Sequence, residues 1–86
     1  MTDNLTYECL SQELWIVFNR IRTDFRADPS NNGWVTEWLY ELNPRIRASY
    51  DNGDIDKIQY RRIKARWYYA RKALEKECLK INVSLA

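Results

Sequence analysis

Apolar residues recur at three- and four-residue steps along almost the whole chain, and the pattern divides it into three segments. Tyr7, Leu10, Leu14, Val17, Phe18, Ile21 and Phe25 fall on one stripe of a 3.6-residue helix, which predicts a first helix from about Leu5 to Arg26. Asp3 or Asn4 is placed to cap its start, and the turn-forming run Asp28-Pro29-Ser30-Asn31-Asn32-Gly33 ends it. Leu5, Cys9 and Ile16 miss the stripe and share another side of the helix, where a solvated surface is ordinarily polar.

Trp34, Val35, Trp38, Leu39 and Leu42 predict a short second helix. Asn43-Pro44 should interrupt it, because a residue before proline is pushed out of the helical region. A further turn then starts at Pro44, with Ile46 and Tyr50 inward, and ends at Asp51-Asn52-Gly53, where Gly53 supplies a left-handed backbone. The third segment is the longest, from about Asp54 to Ile81, roughly 40 Å at about 1.5 Å per residue. Its seam is Tyr60, Ile63, Trp67, Ala70, Leu74 and Ile81, with only Glu77 out of place and Cys78 beside it. No alternating apolar run is long enough for a strand. The expected fold is therefore all-α: one compact three-helix domain over residues 1–86, with a flexible tail after about residue 81.

A chain of 86 residues has room for a single small core, and 45% hydrophobic residues with 14% aromatics exclude disorder. Four tryptophans in so short a chain are expected to supply much of that core. No run approaches the length of a membrane span, and the N-terminus lacks the basic and apolar regions of a signal peptide. Cys9 and Cys78 are too few for a disulfide framework, so a cytoplasmic setting is expected.

Charge changes the picture. From Lys57 to Lys80 nine cations face two carboxylates, a net +7, whereas residues 1–56 carry five arginines against ten carboxylates, a net −5. Such a dipolar molecule attracts partners of defined sign. On helical projection the third helix has two outer surfaces beside its core seam. One carries Lys57, Arg61, Lys64, Tyr68, Arg71 and Lys72, cations around an aromatic plate that suits phosphates and an unpaired base. The other mixes Ile55, Ile58, Tyr69 and Ala73 with Arg62 and Arg66, the composition of an interface centre.

Catalysis has little to work with. There is no histidine to shuttle protons, no nucleophile motif and no glycine-rich phosphate loop, and Glu37 and Glu41 read as a solvated pair. Two thiols without histidine cannot complete a zinc site, so no metal or cofactor is expected. A helix-turn-helix also fails, for want of its short glycine-containing turn. The reading that follows is a small non-enzymatic regulatory adaptor or inhibitor that binds a protein partner and self-associates, as a homodimer or other homo-oligomer. Its expected contact residues are Leu5, Cys9, Ile16, Ile55, Ile58, Arg62, Arg66 and Tyr69. The alternative is an RNA- or DNA-binding protein using Arg61, Lys64, Tyr68, Arg71 and Lys72.

Overall fold

The computed structural model describes the backbone of residues 6–85 and the side chains of residues 6–80. It is all-helical among these residues, a compact three-helix domain as the periodicity predicts. Helix α1 spans Tyr7–Arg20 and runs directly into a π-helical turn, Ile21–Phe25. Its cap is Thr6, whose hydroxyl accepts from the Cys9 amide at 3.2 Å; Asp3, Asn4 and Leu5 lie outside the described residues. At the π turn the Thr23 hydroxyl donates to the Asn19 carbonyl at 2.9 Å and the Asn19 amide donates to the Trp15 carbonyl at 2.8 Å. Side-chain donors thus supply carbonyls just ahead of a stretch where the regular ladder is widened.

The stop after α1 is a hydrogen-bonded knot. The Asp28 carboxylate accepts from Ser30 and Asn31, which hold it below the usual carboxylate range, Asn31 the more strongly. Asn32 donates to the carbonyls of Asp24 and Asp28.

Helix α2 spans Gly33–Asp51 and passes through Pro44 without a break, where the sequence predicts an interruption. Pro44 cannot donate to the carbonyl four residues before it, at a cost of about 3 kcal/mol in a helix interior. Against that stand Leu39 and Leu42 before the proline and Ile46 after it, all fully buried on one face. At about 1.5–3 kcal/mol per buried aliphatic side chain, keeping both halves in register outweighs the proline. Packing decides the outcome over local propensity.

The turn after α2 follows the sequence closely. Gly53 has φ 82°, its amide donates to the Tyr50 carbonyl, and the Asp54 amide reaches back to Ser49 at 2.9 Å. This is the Schellman closure, and it carries Ile55 inward until it is only 3% exposed. Asp56 and Gln59 then cap each other: the Gln59 amide donates to the Asp56 carboxylate at 2.8 Å, and the Asp56 amide to the Gln59 side-chain oxygen at 3.0 Å. Helix α3 therefore starts at Lys57 and extends to Leu85, beyond the expected end near Ile81.

Phe18 meets Tyr69 and Arg26 meets Glu77, at the same sequence separation. Helices α1 and α3 are consequently parallel, and α2 returns between them in the opposite direction. The predicted stripes form the core: Leu10, Leu14, Val17, Ile21 and Phe25 from α1 and its π turn, with Ile63, Trp67, Ala70 and Leu74 from α3. Glu77, the break in the α3 seam, is accommodated by Arg26 at 3.8 Å and Lys80 at 3.6 Å. The tryptophans do not follow the expectation as a set. Trp67 is buried and Trp38 half-buried, but Trp34 and Trp15 are exposed.

Candidate functional site, a basic aromatic groove between α1 and α3

The parallel pair α1/α3 leaves an open seam on the side of the bundle away from α2. Trp15 and Tyr69 stand on it at 68% and 69% exposure, one from each helix, and with Ser11, Leu14, Phe18 and Arg66 they line a cleft of about 430 Å³. A second, shallower depression of about 690 Å³ continues from Phe18 and Tyr69 past Arg22, Lys72 and Lys76 to Leu79. The two form one groove.

Local sequence explains why these side chains meet. Trp15 lies one residue beyond the buried Leu14, so helical geometry turns it about 100° off the core stripe and toward α3. Ile58, Arg62, Arg66 and Tyr69 step by four, four and three along α3, which makes them a single strip beside the seam. Phe18 packs on Tyr69 with ring centroids 5.6 Å apart, and the Arg22 guanidinium lies 5.5 Å from the Phe18 ring. The groove floor is therefore fixed aromatic surface with cations along its rim. The Ser11 hydroxyl is buried at this cleft without a hydrogen-bond partner in the protein.

The groove is also strongly positive. Among the described residues no carboxylate pairs with Arg62, Arg66, Lys72 or Lys76. The nearby Glu75 is taken by Arg71 at 3.2 Å, and Glu77 by Arg26 and Lys80. A cluster of uncompensated cations between exposed aromatic rings suits a ligand that brings both apolar surface and negative charge.

Of the residues expected to contact a partner, Ile58, Arg62, Arg66 and Tyr69 are gathered on this strip. Ile55 is not among them: the turn before α3 folds it into the core. Cys9 and Ile16 are half-buried on the flank of α1 that faces α2, on either side of Glu13. There the Arg45 guanidinium grips both Glu13 oxygens, at 2.9 and 2.6 Å, while the Trp38 indole donates to one of them at 3.1 Å. The Arg45 hydrogen bonds hold the Glu13 carboxyl below its usual range, with Trp38 adding to the effect against the opposing pull of burial. This flank is thus an interhelical contact within the domain. Leu5 lies outside the described residues.

The residues of the alternative, phosphate-binding surface are dispersed. Lys64 donates to the Asn43 side chain at 2.6 Å and lies among the rings of Tyr60, Trp67 and Tyr68, 5.3–6.0 Å from their centroids. Arg71 is paired with Glu75, and Lys72 lines the α1–α3 groove. Arg61 and the half-exposed Tyr68 remain on an outer face. Trp15 is the site residue that sequence reasoning missed. Its position one step off the stripe was the available signal, masked by the assumption that tryptophan fills small cores.

Among the described residues no three His, Cys, Asp or Glu side chains converge as metal ligands would, and no helix is long and apolar enough to cross a membrane. Comparison with protein-family models, with curated protein sequences and with solved structures finds no match to this chain.

Proposed function

We propose that this chain is a small non-enzymatic binding protein, an adaptor or inhibitor, that captures a protein partner in the α1–α3 groove and also self-associates. The observation that carries this reading is the exposure of Trp15 and Tyr69 on one cleft that Arg66 also lines. Tryptophan, tyrosine and arginine dominate the energetics of protein interfaces when a partner desolvates them, and a monomer gains nothing by leaving two large rings in water. Uncompensated cations around the rings select an acidic partner surface and accelerate its capture. The free thiols of Cys9 and Cys78 are consistent with a reducing, cytoplasmic setting.

The test is affinity capture from extract of the source organism, with the wild-type chain and with Trp15→Ser/Arg66→Glu as baits. A protein retained by the first and lost by the second supports the reading. Identical captures, or none, would remove it.

A second reading, binding of RNA or DNA, draws on the net +7 of the α3 segment and on Arg61 beside the half-exposed Tyr68. It requires nucleic acid to copurify and to wash off with salt. Affinity for single-stranded oligonucleotides should then fall with a log–log salt slope of roughly −3 to −4, as for about four phosphate contacts.

A further inference from the structure

The side of the bundle opposite the groove carries its chemical complement. On the outer face of α2, Trp34, Glu37 and Glu41 step by three and four, with Tyr40 beside them. Trp34 and Tyr40 are each nearly half exposed, Glu37 projects into solvent, and Glu41 is held only loosely, 3.9 Å from Arg45. This ridge presents two aromatic rings and two carboxylates at helical spacing. The groove presents Trp15 and Tyr69 with Arg22, Arg66, Lys72 and Lys76.

We infer that the α2 ridge of one copy docks in the α1–α3 groove of the next, so that the chain assembles head to tail. The inference rests on the reading of the groove as a docking surface and names its occupant as a second copy of this chain. Charge decides the geometry. A two-fold dimer through the groove would set Arg66, Lys72 and Lys76 against their own copies, and one through the ridge would oppose Glu37 to Glu41. Only groove to ridge brings opposite charges together, with an amphipathic helix laid into an aromatic channel.

Position decides the stoichiometry. In a three-helix bundle the α1–α3 seam lies across the domain from the outer face of α2. A copy bound by its ridge therefore keeps its own groove open. Such a contact is heterologous and grows into a ring or an open chain instead of closing as a two-fold dimer.

Two double variants at exposed positions separate the surfaces: Trp15→Ser/Arg66→Glu blocks the groove and Glu37→Lys/Glu41→Lys reverses the ridge. Sedimentation velocity over a range of concentrations, with helicity checked by circular dichroism, is the measurement. The wild type should shift from monomer to species larger than a dimer, and less so at high salt. Each variant alone should stay monomeric. An equimolar mixture should form a capped dimer and nothing larger, because one good groove and one good ridge remain.

A wild type that stays monomeric to about 1 mM, a ridge variant that associates like the wild type, or a mixture without dimer overturns the inference. The anionic apolar fluorophore 8-anilinonaphthalene-1-sulfonate tells this failure from that of the underlying reading. If the wild type binds it and the groove variant does not, only head-to-tail assembly falls. If both bind it alike, the groove is no docking surface and both fall.

Discussion

The Trp67 indole of α3 donates to the backbone carbonyl of Leu39 in α2 at 2.7 Å, inside the core and about one turn ahead of Pro44. The bond fixes how the two helices lie against each other at the point where proline weakens the α2 ladder. Replacing Trp67 by phenylalanine removes the donor and part of the buried volume. We expect a loss of about 2–3 kcal/mol, from the unmade buried hydrogen bond and the smaller ring. For a domain of this size that lowers the melting temperature by roughly 10 °C or more. A variant melting within a few degrees of the wild type would show that the bond contributes little.

The clasp of Glu13 by Arg45 and Trp38 makes stability depend on pH. The folded carboxyl titrates below its unfolded value of about 4.3, so its contribution is fully present above that value. It is lost as the pH falls through the folded value. Glu13→Gln should therefore be less stable than the wild type by about 1 kcal/mol at pH 7, with the gap closing below about pH 4. Urea titrations at pH 7, 5 and 3 measure it. Asp28, also held low, is present in both proteins and cancels from the difference. A gap that does not change with pH contradicts this assignment.

The two glycines should respond to alanine in opposite directions. Gly53 has φ 82° with open space where a Cβ would stand, so the cost of Gly53→Ala is backbone strain alone, about 1–2 kcal/mol. Gly33 opens α2 with equally open space and no left-handed backbone, so Gly33→Ala should stabilise by about 0.4–1 kcal/mol. Chemical denaturation of both variants gives the signs directly. Equal signs would contradict the backbone account.

Much of this architecture is legible in the sequence because it rests on periodicity and turn chemistry. The α1 stripe from Leu10 to Phe25, the α3 seam through Trp67 and the left-handed Gly53 all follow from spacing and residue type. What escapes is set by the neighbours of each helix. Pro44 signals a break, and only the burial of Leu42 and Ile46 on either side of it reveals why α2 continues. Cys9 and Ile16 look stranded on a lone helix, but a three-helix bundle covers α1 from two directions. Ile55 resembles surface by helical projection and is core because it lies in the turn before α3 begins. The charges of α3 could be sorted by face, yet that Lys64 is already taken depends on Asn43 of α2 beside it, and that Glu77 is taken depends in part on Arg26 packing from α1's end.

Trp15 should separate stability from binding. At 68% exposure it buries too little for Trp15→Ser to cost more than about 0.5 kcal/mol. The same substitution should weaken partner capture tenfold or more, as removal of an interface anchor does. Thermal melts and titration with the captured partner make the comparison. A large drop in melting temperature would assign Trp15 to the core.

Site-specific photo-crosslinking tests the groove most directly. With benzoylphenylalanine at position 15 or 69, irradiation in cells of the source organism should give protein adducts that disappear when Arg66→Glu is added. The same group at the exposed Asp54, in the turn between α2 and α3 and away from both the groove and the α2 ridge, should give none. Adducts of equal yield from position 54, or no adducts from 15 and 69 in a folded protein, would contradict the claim that the α1–α3 groove is where this chain binds.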